Sequence, residues 1–241
     1  KVMKVSIIIP AYNEKKNVIS LARDVINKIE NVEVIIVDDS KEDNISTYLE
    51  KMNKVKYIFR GKKLGRGSAI IEGIKYLIKN TDTKIFVEMD ADYSHDPNEL
   101  KNNLKLFKEG KYDLLISSRY LSDSIIVNWP ITRRIFSFLA NSLAKFLLRV
   151  PVSDYTNGFR IYSDNAANHI AFNCGKIGEG FIILSEILVE LYYNGFKVGE
   201  TSSKFVNRVR GESSVNLREI FNSFLGLIRI YNLKNKIKKK F

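Results

Sequence analysis

Residues 84–97 read KIFVEMDADYSHDP, and this stretch decides how the chain folds. A short apolar run ends abruptly in Asp90 and Asp92, with Asp96 and Pro97 just beyond. A run of that length, rich in β-formers, reads as a buried strand, and Pro97 suits the first turn of a helix. A buried strand that finishes by pointing two carboxylates at one place needs an electrostatic reason for doing so.

The same punctuation recurs on both sides. KVSIIIP (4–10), VEVIIVDDS (32–40), VKYIF (55–59) and YDLLISSR (112–119) also read as strands. Helical spacing links them: Val18, Leu21, Val25 and Ile29 within 14–30, and a further helix over 66–79. Short β-branched runs alternating with helices predict an α/β fold, with a mostly parallel central sheet covered by helices on both faces. Sheets of this kind bind ligands beyond the C-terminal ends of their strands. Those ends are polar here: PAYNE (10–14), Asp38-Asp39-Ser40, GKKLGRG (61–67), Asp90-Ala91-Asp92 and Ser117-Ser118-Arg119. Such a set along one edge fits a charged, nucleotide-like ligand. Hard carboxylate oxygens at Asp90 and Asp92 suit Mg²⁺ or Mn²⁺ bridging to a diphosphate.

The 241 residues carry 39 basic and 27 acidic side chains, a net charge of +12. Half of that excess lies in Arg229, Lys234, Lys236, Lys238, Lys239 and Lys240, with no acid among them. The cluster points to an anionic partner, a membrane surface or nucleic acid, or else to a solvated charged end. A lone cysteine, Cys174, excludes an internal disulfide framework and suits a reducing compartment. No signal-peptide pattern opens the sequence, and no apolar run is long enough to span a bilayer.

The second half changes character. Within 130–150, Ile131, Ile135, Phe138, Leu139, Leu143, Phe146 and Val150 form an apolar stripe interspersed with Arg133, Arg134, Lys145 and Arg149. This is an amphipathic basic helix, facing either the core or a membrane surface. A helix is expected near 181–194. Val215, Leu217, Ile220, Phe221, Phe224, Leu225 and Ile228 predict another over 215–232. The chain divides into a catalytic domain over 1–214 and a C-terminal amphipathic helix with a basic tail over 215–241.

IIIPAYNE, VDDS, LGRGSAI, MDADYSHDP, SSRY, DYTNGFRIY and FVNRVRGESS follow one another from about Val5 to Ser214. In this order the sequence resembles the family 2 glycosyltransferases, most closely their polyprenyl-phosphate branch. The resemblance implies a GT-A, Rossmann-like fold, a nucleotide-sugar donor, a polyprenyl phosphate acceptor and a divalent cation. Pro10, Tyr12, Glu14 and Asp39 would hold the nucleoside. Asp90, Asp92 and Ser94 would meet the diphosphate and metal, with Asp92, Arg119 and Arg133 catalytic. Arg119, Arg133 and Arg208, with Ser137 one turn beyond Arg133, would bind the acceptor phosphate. Arg160 is a further cationic candidate, and Glu186 is expected to partner one of the arginines. Asp154 matches another acidic family position and is expected to cap or brace its loop. Gly65 and Gly67 would let backbone approach the donor, with Lys63 or Arg66 nearby. One departure stands out: where the family often has GxSK, GES is followed here by Ser214.

A phosphate monoester is already mostly dianionic at neutral pH and needs cations rather than a base. An acceptor hydroxyl would need a base, and Asp154 or Glu186 would then be the candidates. His95 and His169 lack partners at metal-ligand spacing and read as structural. The expectation is an inverting transfer of a sugar, first mannose from GDP-mannose and otherwise glucose from UDP-glucose, at the cytoplasmic face of a membrane. The alternatives are transfer to a glycan hydroxyl, a non-enzymatic scaffold, and a nucleic-acid-binding protein. No recognition motif accompanies the charge, so no nucleic acid is expected. A membrane-protein partner is left open.

Overall fold

The computed structural model of the chain describes residues 3–43, 45–178, 180, 182–207 and 217–240, with backbone alone over 217–223. Strands β1 (Val5–Ala11), β2 (Val32–Asp38), β3 (Val55–Phe59), β4 (Ile85–Glu88) and β5 (Leu114–Ser118) stand where the apolar runs predict. Between them lie α1 (Lys15–Lys28), the short α2 (Ser46–Leu49), α3 (Arg66–Asn80) and α4 (Leu100–Glu109). The helix expected at Pro97 begins as a 3₁₀ turn, Pro97–Glu99, capped by the Asp96 side chain on the Asn98 N–H. Then follow β6 (Ile125–Val127), α5 (Ile131–Leu148), β7 (Arg160–Ser163), α6 (Asp164–Asn173), α7 (Ile182–Tyr193), β8 (Val198–Ser202), β9 (Lys204–Val206) and α8 (Leu217–Lys238).

Seven strands form one sheet in the order β3-β2-β1-β4-β7-β5-β8. It is mostly parallel, with β7 inserted antiparallel between β4 and β5. Successive side chains on a strand point to opposite faces, and the core divides accordingly. Ile8, Ile35 and Val37 pack with α3, α6 and α7. Ile7, Ile9, Val34 and Ile36 pack with α1 and α4 on the other face. Runs buried on both faces are what a parallel sheet requires. Winding reverses at β1, which has β2 on one side and β4 on the other, and that is where such sheets open a crevice for a ligand.

A second, two-stranded sheet pairs β6 with β9 in parallel. It is tied to the loop after β4 by the Val206 N–H on the Ser94 carbonyl at 3.1 Å and by a bridge between His95 and Phe205.

Helix α5 turns its apolar stripe outward. Ile131 is 74% exposed and Phe146 72%, and Ile135, Phe138, Leu139 and Leu143 are exposed with them. The inner face is Asn141, Ala144 and Leu148. Asn141 fastens the helix: its Oδ1 accepts the Tyr155 N–H at 2.7 Å and its Nδ2 donates to the Thr156 hydroxyl at 3.2 Å.

The C-terminal helix extends past the expected 215–232. It runs to Lys238, so most of the basic tail is helical. Its buried face is Gly226, Leu227, Ile230, Lys234 and Ile237, whereas Phe224, Leu225 and Ile228 of the predicted stripe face outward. Val215 lies outside the described residues, as do the side chains of Leu217, Ile220 and Phe221. Among the described residues no helix is long and apolar enough to cross a membrane.

Candidate active site

Beyond the C-terminal ends of β4 and β5 lies a cavity of about 50 Å³. Asp90, Asp92 and Ser94 line it together with Arg119 and Arg133, and Trp129, Thr156, Asn157, Gly158, Phe205 and Asn207 complete it. That volume admits an ion or a phosphate group, and a whole nucleotide sugar must extend past it along the sheet edge.

The acidic side is shaped by its own backbone. The Ser94 N–H donates to Asp92 Oδ1 at 3.0 Å. His95, stacked on Phe159, accepts the Asp90 N–H on Nδ1 at 3.1 Å, and its Nε2 meets Asn157 Oδ1 at 2.9 Å. Burial, above all, lowers the imidazole pKa and favours the neutral ring. His95 is thus structural, as expected, and what it positions is the Asp90 backbone.

Arg66 opens α3 and reaches across to Asp90: its Nε donates to Oδ1 at 2.8 Å, and its Nη2 lies 3.7 Å from Glu88 Oε1. The same Nη2 donates to the Gly158 carbonyl at 3.2 Å. A Cβ at position 158 would stand 1.9 Å from that nitrogen, so only glycine lets the guanidinium through. Burial opposes the charge on Arg66, but Asp90 and Glu88 outweigh it and raise the pKa. Glu88 is fully buried, with no hydrogen bond to either oxygen among the described residues, and burial raises its carboxyl despite Arg66 and Arg160. The sequence reading passed over Glu88, although a glutamate inside an apolar strand is itself a signal.

The basic side rests on Trp129. The Arg133 guanidinium lies 4.8 Å from its ring centroid and that of Arg119 lies 5.4 Å away, within cation–π range. Arg119 is also held by Asp154, through Nε to Oδ2 at 2.7 Å and Nη2 to Oδ1 at 2.8 Å. Burial works against the Asp154 charge, yet Arg119 and the N–H groups of Arg119 and Thr156 hold its carboxyl below the usual range. Arg133 Nη1 donates to Asn207 Oδ1 at 3.2 Å. The small sheet sets this up: parallel β6 and β9 end side by side, and the Asn207 N–H donates to the Val127 carbonyl at 2.9 Å. Trp129 and Asn207 were not singled out from the sequence. The tryptophan's place just before Pro130 and the basic helix was the available clue.

Other candidates have different surroundings. Arg160 is wholly buried and spends its guanidinium on the carbonyls of Asn157, Leu184 and Tyr155, so it is structural and offers no charge to a ligand. Glu186 is buried too and, among the described residues, meets the Lys176 N–H at 3.2 Å rather than an arginine. Burial raises its carboxyl, which fits a group held by peptide N–H donors and not by a cation. Ser137 receives the Tyr120 hydroxyl at 2.6 Å and is not part of the cavity lining. Arg208 and Ser214 lie outside the described residues.

At the nucleoside end, Pro10 is half-buried in β1. Tyr12 is exposed, with Lys63 Nζ 4.9 Å from its ring centroid. Glu14 accepts from Asn17 at 2.7 Å. Asp39 stands at the end of β2 with both oxygens engaged: Oδ2 accepts the Leu64 and Gly65 N–H groups at 2.8 Å, and Oδ1 pairs with Arg60. It shapes the turn into α3, where Gly65 takes φ +93°. Asp38 receives Ser40 and Tyr57 and supports its own turn.

Two carboxylates and a serine hydroxyl on a small cavity fit a hard cation that keeps water and substrate phosphate among its ligands. Among the described residues no group of three or more His, Cys, Asp or Glu side chains offers a self-sufficient metal cage.

Comparison with known proteins places this arrangement. A polyprenol monophosphomannose synthase from Mycolicibacterium smegmatis is 31% identical, over 88% of this chain and 82% of the relative. A dolichol-phosphate mannosyltransferase from Pyrococcus furiosus is 32% identical, over 98% of this chain and 66% of the relative. Among solved structures, glucosyl-3-phosphoglycerate synthase from Mycobacterium tuberculosis, in complex with Mn²⁺, UDP and glucosyl-3-phosphoglycerate, superposes with a TM-score of 0.67. It shares 16% identity over 96% of this chain and 80% of that one, a likeness that carries the GT-A fold. The same synthase with Mg²⁺ and UDP also gives 0.67, at 16% identity over 96% of this chain and 79% of that one. The family described as "Glycosyl transferase family 2" matches residues 6–171, and the chain, a glycosyltransferase, belongs to it.

Proposed function

We propose that this enzyme moves mannose from GDP-mannose to a polyprenyl phosphate, in one inverting displacement at the cytoplasmic face of a membrane. The observation that carries the reading is the cavity itself, which brings Asp90 and Asp92 together with Arg119 and Arg133 around a space the size of a phosphate. Two arginines braced on one tryptophan suit a dianionic acceptor, since the guanidinium fork matches phosphate oxygens. A divalent cation held by Asp90, Asp92 and Ser94 would supply positive charge to the leaving diphosphate. Tyr12, Glu14 and Pro10 would receive the nucleoside, while Asp39 orients the turn beside it.

Transfer to a glycan hydroxyl would need a base. Asp154 is fully buried and committed to Arg119, and Glu186 is buried on peptide N–H groups. Their environments favour the phosphate acceptor. The names of both relatives point to mannose. The exposed apolar stripe of α5, close to Arg133, suits an acceptor delivered from a lipid surface.

The test is a panel of radiolabelled sugar nucleotides with polyprenyl phosphate and Mn²⁺ or Mg²⁺. GDP-mannose should label the lipid phosphate and leave free polyprenol unlabelled. Efficient transfer to the alcohol would overturn the acceptor, and preference for UDP-glucose would overturn the donor.

A further inference from the structure

A groove of about 400 Å³ lies between the C-terminal end of α5 and the last turns of α8. Its lining brings together Arg149, Lys234 and Lys238, with Phe146, Tyr231 and Asn235, and no acid among the described residues. Lys234 is only 5% exposed; its Nζ donates to the Leu147 carbonyl at 2.7 Å and lies 4.5 Å from the Tyr231 ring centroid. Burial, then the nearby Lys238 and Arg149, lower its pKa against the effect of Tyr231. Capping the end of α5 accounts for Lys234. It does not account for Arg149 and Lys238 converging on the same groove, where like charges repel. Among the described residues the Lys238 ammonium has only the Tyr193 ring as a partner, 5.1 Å to the centroid, and a ring brings no counter-charge.

The surroundings identify the counter-charge. Arg149 closes α5 in the left-handed conformation, φ +57°, and the apolar stripe begins beside it at Phe146. The stripe runs back along α5 to Ile131, next to Arg133 at the cavity, roughly 25 Å away at about 1.5 Å per residue. Phosphate adjoining hydrocarbon is the chemistry of a lipid headgroup. We propose that Arg149, Lys234 and Lys238 form a second anion site, which binds the phosphate of an anionic lipid while the α5 stripe rests on its acyl chains. This rests on the membrane reading above and gives it a headgroup contact remote from the cavity.

The test is flotation of the full chain with phosphatidylcholine vesicles, with and without phosphatidic acid. Arg149→Gln/Lys238→Gln is compared with Lys239→Gln/Lys240→Gln, which removes the same charge from the exposed end of the chain. Lys234 is left intact because it is packed. With melting temperatures unchanged, the groove pair should lose at least about tenfold more affinity for acidic vesicles than the control pair. That is the smallest effect expected from losing one hydrogen bond to a charged group. Equal losses in the two pairs would overturn the site and leave the membrane reading standing. A wild-type chain that binds neither vesicle would overturn both. Inorganic phosphate that stabilises wild type and not the groove pair, with vesicle binding equal in the two, would assign a free phosphate and overturn the lipid.

Discussion

Arg66 Nε donates to Asp90 Oδ1 at 2.8 Å, so one of the two cavity aspartates already holds a cation from its own chain. A divalent ion at Asp90 would share that carboxylate with the guanidinium or displace it. In EDTA, Arg66→Ala should lose about 1.5–3 kcal/mol, the range for a hydrogen bond between charged groups. Mn²⁺ should then raise its melting temperature by several degrees more than that of wild type. Equal Mn²⁺-induced shifts would show that the guanidinium and the ion do not share Asp90.

Asp92 has a different task. Its Oδ1 accepts the Ser94 N–H, and it lines the cavity directly. Asp92→Asn is isosteric and should keep the unfolding free energy within about 0.5 kcal/mol of wild type. Its kcat should fall by about 10²–10³, the scale for losing one group that stabilises developing charge. Near-normal turnover, or full wild-type activity in EDTA, would remove the metal from the reading.

The two arginines should separate in a way their shared cavity conceals. Arg133 is half-buried against Trp129 and Asn207, whereas Arg119 is buried in a two-point pair with Asp154. Arg133→Ala should raise the acceptor KM or lower kcat by about 10- to 150-fold, equivalent to roughly 1.5–3 kcal/mol, with donor affinity unchanged. Arg133→Lys should recover only part, since an ammonium lacks the planar fork. Arg119→Ala should also destabilise the fold by about 3–5 kcal/mol, because it strands a buried carboxylate. An Arg119→Ala protein that melts like wild type would sink that distinction.

What was legible in the sequence follows from range. Asp90 and Asp92 announce themselves because an apolar run and the charge that ends it are adjacent in the chain. Trp129 joins Arg119 to Arg133 only once β6 and β9 have paired, and no local pattern encodes that pairing. The insertion of β7 between β4 and β5 is equally non-local: Arg160 begins a strand whose partners lie about seventy and forty-five residues upstream. The stripe on α5 was readable as a period but not as a direction. Periodicity defines a face, and it took Asn141, bonded to Tyr155, to show that the face of Asn141, Ala144 and Leu148 is turned inward and the larger apolar stripe is left in water. On α8, burial of Lys234 beside Ile230 and Ile237 places a charged residue on the packed side, which a pattern of apolar residues does not register.

Acid should expose the Arg119–Asp154 pair. The Asp154 carboxyl is held below its ordinary pKa in the folded protein, so the unfolded chain binds the proton more readily. Its contribution is fully present above the ordinary carboxylate range and is lost as pH falls through the lower folded value. Asp154→Asn should therefore cost stability at neutral pH, about 3–5 kcal/mol for breaking a buried pair. The gap to wild type should narrow as pH drops below about 4. Denaturant melts across that range give the answer, and a gap that stayed constant would mean Asp154 is not titrating with folding.

The outward stripe of α5 predicts how the enzyme meets its acceptor. Ile135 is 55% exposed and Leu139 59%, one helical turn apart, and neither lines the cavity. A side chain of this kind contributes about 1.5–3 kcal/mol when fully withdrawn from water, and more than half of each is still in water here. Exposed positions of a helix tolerate polar residues, so Ile135→Ser/Leu139→Ser should fold normally. Its partitioning onto vesicles should fall at least about tenfold, the equivalent of 1.4 kcal/mol. Transfer to a long prenyl phosphate embedded in those vesicles should slow with it, and transfer to a short, water-soluble prenyl phosphate should not. If both acceptors slowed alike, the stripe would be shaping the cavity rather than touching a membrane. If neither slowed, the exposed face of α5 would have no part in acceptor delivery.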